Sequence, residues 1–314
     1  MVKRIFHLKQ ARGSTAVCLL LLISALGAGI AASATSPWPF KSNTAPPQPT
    51  NVNGLTVAFW NIQWFPGMRP DTTQDAEMRQ TNAVHSEISR INPDIIGMEE
   101  VRDWKAAALA VEPLKGMKVD VCANFPPREG QAYAQEVAIA SRLQPISAWV
   151  ETWKPAGAAT PPRGFAFTAY EVQPKKLLLV YCVHFKSNRD GATENIPVRE
   201  ESTRQLLSHI EAMKRAYSKM GQVSWIIGGD FNTSLEDPQF AAEKTLRSLT
   251  TTGFSWVWQN IAPGTRMTLQ GDKNYPPTCF DHIFYQGLTL RHAQVISTTR
   301  QSSDHKPVVA TFDL

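Results

Sequence analysis

Asp230 and Asn232 stand two residues apart at the end of an apolar run, Trp225-Ile226-Ile227, with Gly228 and Gly229 between. In extended chain, residues i and i+2 point to the same side. The carboxylate and the amide would therefore leave a buried strand together. Such a pair suits a phosphate, a hard metal ion or a polarised water. The two glycines would let a ligand approach the backbone. Gly, Asp and Asn are also ordinary turn residues, so this stretch alone leaves both readings open.

The same arrangement recurs along the chain. Leu55 to Trp60 reads as a strand and reaches Asn61. Ile95 to Met98 is a second apolar strand, ending in Glu99 and Glu100. Lys176 to Val183 is the most apolar strand; it ends at His184, with Lys186, Ser187 and Asn188 close behind, a combination that favours an anion. Asp281 opens a strand over 281–285, and Asp304 and His305 precede the last strand, Val308 to Phe312. Further strands are expected over 136–142, 145–150, 165–172 and 288–296.

Helices complete the frame that must position these strand ends. Val84, Ile88 and Ile91 fall at helical spacing in 75–91, which Asn92-Pro93 stops. Leu206, Leu207, Ile210 and Met213 make one apolar face of a long helix over 197–220. Each polar residue has a bland alternative, such as a solvated loop, an acid opening a helix after Asp103, or a structural histidine. Buried charge is costly unless paired or bound to a metal. An acid-rich rim with two histidines, built by many strands, therefore points to a hard-metal phosphoester site. The lack of clustered Cys and of an HExxH run argues against a zinc hydrolase.

The N-terminus reads as a targeting segment. Lys3, Arg4, Lys9 and Arg12 precede an apolar stretch from Ala16 to Ala32, and Ala32-Ser33-Ala34 offers a signal-peptidase site. Residues 1–34 are thus expected to be a signal peptide cleaved near Ala34, giving a secreted or periplasmic protein. The alternative is an uncleaved membrane anchor, for which the apolar run is shorter than the ~20 residues needed to span comfortably. Residues 35–54 carry Pro37, Pro39, Pro46, Pro47 and Pro49 and read as an extended linker. Residues 55–314 remain for one α/β domain. The formal charge is +5 over the whole chain, and four of the positive charges lie in the segment just set aside. Charge is therefore weak support for a nucleic-acid partner. Beyond Cys18, the three cysteines Cys122, Cys182 and Cys279 allow at most one disulfide and match no zinc site.

Taken in order, Trp60-Asn61-Ile62-Gln63, Met98-Glu99-Glu100-Val101-Arg102, Val183-His184-Phe185-Lys186-Ser187, Gly229-Asp230-Phe231-Asn232, Asp281-His282-Ile283-Phe284 and Ser303-Asp304-His305-Lys306-Pro307 resemble the successive motifs of the endonuclease/exonuclease/phosphatase superfamily. Deoxyribonuclease I, abasic-site endonucleases, neutral sphingomyelinases and inositol-polyphosphate 5-phosphatases share that fold. The resemblance runs from about 55 to 314. It implies an α/β fold, a four-layered α/β/β/α sandwich in which two mixed β-sheets pack face to face with helices outside.

The resemblance also implies roles. Glu100 falls on the metal-binding Glu, with Glu99 in place of the usual Gln. Asn61 would help hold metal and phosphate, and Asp304 would bind or orient near the metal. His305 would pair with Asp281, while Asp230 and Asn232 would position the attacking water and phosphoryl oxygens. His184 falls on the second histidine of the deoxyribonuclease I-like branch, where a Glu partners it; Gln135 or Glu136 lies in the corresponding strand. Arg163, Lys186 and Asn188 would grip phosphate. The implied cofactor is Mg2+ or Mn2+. The implied substrate is a phosphodiester, with nucleic acid leading and a lipid headgroup or phosphomonoester as alternatives, and a non-catalytic module on the same scaffold less favoured. Trp60, Trp64, Phe65 and Trp104 could stack on bases, enter a lipid interface or be core. No protein partner is evident.

Overall fold

The computed structural model describes residues 54–127, 133–189, 191–271, 273 and 276–314. The expected signal peptide, and all but the last residue of the expected linker, lie outside them. No helix among the described residues is long and apolar enough to cross a membrane.

Two six-stranded sheets carry the fold. The first contains β1 (Leu55–Phe65), β2 (Ile95–Val101), β3 (Lys118–Cys122), β4 (Glu136–Ser141), β11 (Thr289–Val295) and β12 (Val308–Asp313), in the order β11-β12-β1-β2-β4-β3. The second contains β5 (Pro145–Thr152), β6 (Gly164–Gln173), β7 (Lys176–His184), β8 (Gln222–Asp230), β9 (Ser255–Trp256) and β10 (Asp281–Gln286), in the order β5-β6-β7-β8-β10-β9. Each sheet is mixed. β1 runs parallel to β2 and β7 parallel to β8, while the other pairs are antiparallel. Both parallel pairs need a crossover, supplied by α1 (Gln74–Ile91) and α3 (Ala192–Tyr217).

Three apolar layers hold these elements. Between the sheets lie Val57, Phe59, Ile95, Ile139, Leu178, Val180, Ile226 and Ile283. Outside the first sheet, Val84 and Ile88 of α1 pack with Ala106, Ala107 and Ala110 of α2 (Trp104–Val111). Outside the second, Leu206 and Ile210 of α3 join Leu246 and Leu249 of α4 (Thr245–Thr251). Central strands buried on both faces explain the near-continuous apolar runs. This is the four-layered sandwich that the sequence leads one to expect.

The glycine pair before Asp230 serves packing rather than ligand approach. A Cβ at Gly228 would fall 2.3 Å from the ring of Phe59, reaching across from the other sheet. Gly229 has φ +131, and a Cβ there would fall 2.0 Å from the Val183 carbonyl oxygen.

Some boundaries differ from expectation. β1 continues beyond Asn61 to Phe65, and α3 starts five residues before Pro197. In that first stretch of α3, Asn195 Nδ2 donates to the carbonyls of Arg189 and Gly191. β3 is an addition; its Lys-Val-Asp-Val-Cys sequence alternates polar and apolar residues but is only five residues long.

Candidate active site

Alternation along the strands delivers most of the polar residues. Asn61 shares the inward parity of Val57 and Phe59, His184 that of Val180 and Cys182, and Asp230 that of Ile226 and Gly228. All three emerge at one rim of the sandwich. Asn61 Nδ2 donates to Asp230 Oδ2 at 3.0 Å and to Glu100 Oε1 at 3.1 Å. His184 Nε2 lies 3.7 Å from Glu100 Oε1 and 3.6 Å from Asp230 Oδ2. His305 Nδ1 lies 2.8 Å from Asp281 Oδ2, and its Nε2 faces Asp230 Oδ2 at 3.8 Å.

Glu100 arrives differently. It shares the parity of Ile96 and Met98, which face the outer helices. A register shift between Glu99 and Val101, with φ +60 at Glu100, turns it to the rim. The opposing β1 is irregular too, with positive φ at Gln63 and Trp64, and the Trp64 amide donates to Glu100 Oε2 at 3.2 Å. Glu99 keeps the regular inward direction. It is fully buried and accepts from Cys182 Sγ at 3.0 Å across the sandwich. Of the two acids, Glu100 therefore faces the rim and Glu99 lies beneath it.

Crowded, buried acids set the electrostatics. Burial and then Asp304 raise the Glu100 carboxyl. Burial holds Glu99 well above the carboxylate range. Burial pushes Asp230 up to about 7, opposed by His305 and reinforced by Asp281. Burial works against charge on His305, yet Asp281 and Asp230 together hold its imidazole well above its ordinary range. Mutual elevation of carboxylates in one buried site is what a bound cation relieves. Two donor sets offer themselves. Asp230, Asp281 and His305 have ligand atoms within 4.8 Å of one another. In that set, however, His305 Nδ1 and Asp281 Oδ2 already bond each other. The other is the oxygen set that the resemblance implies: Glu100, bonded to the Asn61 amide and raised by the charge of Asp304, with those two residues, suited to a hard divalent ion.

The remaining expected residues are placed as follows. Asn232, at φ +52, donates its amide to Asp230 Oδ1 at 2.8 Å and its Nδ2 to the Phe185 carbonyl at 3.2 Å. The Asp304 amide donates to Gln63 Oε1 at 3.0 Å. Arg163 turns its guanidinium to the main chain after His184, donating to the carbonyls of His184 (3.1 Å) and Phe185 (2.7 Å) and to Gln135 Oε1 (3.1 Å). Glu136 accepts from the Phe125 amide through both oxygens, and Gln135 Oε1 is the acceptor for Arg163. Lys186 Nζ donates to the Arg189 carbonyl. Asn188 donates to the Asn232 carbonyl and accepts from Arg199. Trp60 and Phe65 are core, Trp64 is partly exposed and Trp104 is half exposed.

Several supporting residues escape a sequence reading. Gln80, buried on α1, donates to the Ile62, Gln63 and Ser302 carbonyls and accepts from the Gly67 and Met68 amides. Ser303 Oγ donates to the Asn61 carbonyl and accepts from the His305 amide. Thr268 Oγ1 accepts from the Asp281 amide. His282 Nε2 donates to the Thr233 carbonyl at 2.9 Å, and its Nδ1 accepts from Trp256 Nε1. In sequence Gln80 and Thr268 look like ordinary polar residues; only Ser303 and His282, inside the Ser-Asp-His and Asp-His-Ile-Phe motifs, carry a signal.

The comparisons with known proteins agree with this geometry. The family model described as Endonuclease/Exonuclease/phosphatase family matches residues 58–305. Among solved structures, the human Nocturnin catalytic domain with bound sulfate superposes with a TM-score of 0.62 at 16% identity, covering 86% of this chain and 99% of that one. A humanised D. rerio TDP2 carrying 14 mutations gives 0.58 at 18%, covering 84% and 100%. An endonuclease/exonuclease/phosphatase from Beutenbergia cavernae gives 0.60 at 18%, covering 84% and 72%. A search of curated proteins finds no match. These likenesses carry the fold, and the family model carries the membership: the chain belongs to the endonuclease/exonuclease/phosphatase family of metal-dependent phosphoric ester hydrolases.

Proposed function

We propose that this chain is an exported Mg2+-dependent phosphodiesterase, and that its substrate is nucleic acid. The observation that carries the diester reading is His184, a buried imidazole beside Glu100 and Asp230 and distinct from the His305–Asp281 pair. The leaving group of a diester is an alkoxide, which benefits from a positioned acid. Export is inferred from the charged, apolar and small-residue order of the N-terminus. Partly exposed Trp64 and half-exposed Trp104 are available to stack on bases.

In this reading Glu100 and Asp304, with Asn61, would hold the ion. A divalent cation there supplies positive charge to a phosphoryl oxygen and to the surrounding carboxylates. Such a cation would offset part of the negative charge that Asp281 and Asp230 place around His305. Asp281 holds Nδ1–H, leaving Nε2 to take a proton from the attacking water. Asp230 and Asn232 orient that water and the phosphoryl oxygens, and Asn61 fixes Asp230. His184 gives its proton to the leaving oxygen. Water attacks phosphorus in line, so no covalent enzyme intermediate forms.

A substrate panel tests the proposal: duplex DNA, single strands, RNA, sphingomyelin and a chromogenic phosphodiester, with Mg2+ and then EDTA. Nucleic acid should be cleaved, and EDTA should abolish cleavage. Phosphate contacts make such binding salt-dependent, so DNA cleavage should fall steeply as NaCl rises at fixed Mg2+, while the small diester responds much less. Robust sphingomyelin hydrolysis without any DNA or RNA cleavage would overturn the nuclease reading and leave the metal site standing. Mass spectrometry of the exported protein should find cleavage near Ala34; an intact N-terminus in the membrane fraction would replace the signal peptide with an anchor.

A further inference from the structure

We propose that Arg199 is a positioning residue for the active site, acting through Asn188 on Asn232. Arg199 lies on α3 and is fully buried. Its Nε and Nη2 each bond one oxygen of Glu243 at 2.7 Å. Thr233 Oγ1 and Thr245 Oγ1 supply that carboxylate with two more hydrogen bonds, at 2.9 and 2.6 Å. The charge is thus paired and fully hydrogen-bonded, as a buried ion pair must be to persist.

The remaining nitrogen reaches the site. Arg199 Nη1 donates to Asn188 Oδ1 at 2.9 Å and to the Lys186 carbonyl at 3.1 Å. This fixes which end of the Asn188 amide points where. Asn188 Nδ2 then donates to the Asn232 carbonyl at 2.8 Å. Asn232 sits at φ +52, a conformation that Asn tolerates but that costs energy unless held. Its amide bonds Asp230 Oδ1 and its Nδ2 bonds the Phe185 carbonyl. On the following peptide, Thr233 is bound through its hydroxyl to Glu243 and through its carbonyl to His282. One buried guanidinium thus ties the loop after His184 to the loop after Asp230. The two loops come from β7 and β8, the parallel pair whose ends carry both residues.

This inference rests on Asn232 belonging to the active site and not on which phosphodiester is the substrate. It also gives Asn188 a role distinct from gripping substrate phosphate. Losing a grip that is equal in ground and transition states raises KM at unchanged kcat, whereas misaiming a group that acts only in the transition state lowers kcat.

The test uses the full chain and bis(4-nitrophenyl) phosphate with Mg2+ or Mn2+, so a wrong nucleic-acid assignment does not affect it. Asn188→Ala keeps the Arg199–Glu243 pair and removes only the link. It should lower kcat about 10- to 100-fold, the order expected for misplacing a group by an ångström. KM and the thermal midpoint should stay near wild type. Arg199→Lys keeps the charge but loses the fork, and should lower kcat similarly. The double variant should be no worse than the more damaged single variant, since both break one path. If Arg199→Lys does not fold, the partly exposed Asn188 still decides the matter. Raised KM at unchanged kcat for Asn188→Ala would make it a substrate contact and overturn the proposal. So would unchanged kinetics, a merely lowered thermal midpoint, or losses that multiply in the double variant.

Discussion

The two sheets repeat one plan. Read as β11-β12-β1-β2-β4-β3 and β5-β6-β7-β8-β10-β9, each has a central parallel pair with a helical crossover and antiparallel strands on either side. Equivalent strand ends then carry different chemistry. The end of β1 offers Asn61 and that of β7 offers His184. The end of β2 offers Glu100 and that of β8 offers Asp230. The start of β4 is Glu136, after Gln135, and the start of β10 is Asp281. Before β12 comes His305, and before β6 comes Arg163. The residues before β12 and before β6 also send equivalent bonds across the sandwich: His305 to Asp281 in one case, Arg163 to Gln135 in the other. The first joins an imidazole to a carboxylate and can move a proton. The second joins a guanidinium to an amide and braces the His184 loop. One backbone arrangement thus holds a reactive pair on one side and a clamp on the other.

The sharpest way to break this comparison lies at β2. Glu100→Gln should lower turnover by about a thousandfold with the protein still folded, the scale of removing one preorganised electrostatic group. Glu99→Gln should be mild, because Glu99 lies buried beneath the rim, bonded to Cys182, and not on the rim itself. If the two effects were exchanged, the register at this motif would be the other way round. Circular dichroism alongside kinetics separates lost chemistry from lost fold.

The two cross-sandwich pairs come next. His305→Ala should cost about 10²- to 10⁴-fold in kcat, the range for a general base, with little change in thermal midpoint. Arg163→Ala should do the opposite, lowering the midpoint more than turnover, since three of its bonds brace the main chain after His184 and Gln135. Equal losses of turnover for both would mean that the two pairs have not diverged. His184→Ala should matter less with a nitrophenolate leaving group than with an alkoxide, because the better leaving group needs less protonation.

A smaller effect tests the strand ends themselves. β2 reaches the rim by a bulge, β8 by regular alternation past a glycine packed under Phe59. Gly228→Ala should destabilise by about 1–3 kcal/mol through overpacking against Phe59. Urea unfolding measures it; an unchanged midpoint would show that the ring moves aside.

The smallest effect is on acid stability. Burial holds His209 and His282 down to about 4 each. An unfolded imidazole takes its proton near 6.5, so between these values the unfolded chain binds more protons. The stability they contribute is full above pH 6.5 and is lost as pH falls towards 4. His209→Gln should flatten part of that slope in denaturant titrations at stepped pH. An unaltered slope would place the acid sensitivity elsewhere.

The strands and their polar ends were legible because a buried strand is a run of apolar residues and anything ionisable at its tip stands out. Asn61, Glu100, His184, Asp230, Asp281 and His305 were all found this way. The bulge at Glu100 was not legible, because alternation alone would point that side chain to the outer face. Arg199, Glu243 and Gln80 were not legible either. On an amphipathic helix or in a loop, a polar residue reads as solvated, and only the folded chain shows that it is buried and bonded. Arg163 was legible as a cation near the motifs, but its direction towards the main chain depends on a positive φ that no pattern announces.

Cys182 has a practical consequence. Its thiol lies between the sheets, bonded to Glu99 directly beneath the polar rim, and burial pushes its pKa well up. Alkylation needs an exposed thiolate, so a thiol reagent can reach Cys182 only while the layers part. Labelling rates under native conditions therefore report how often that floor opens, and at what free energy. Cys279 is buried as well, whereas Cys122 is partly exposed with its thiol pushed up to about 12. Mass-resolved alkylation of these three positions gives a stopwatch for breathing of the sandwich, without a probe being introduced.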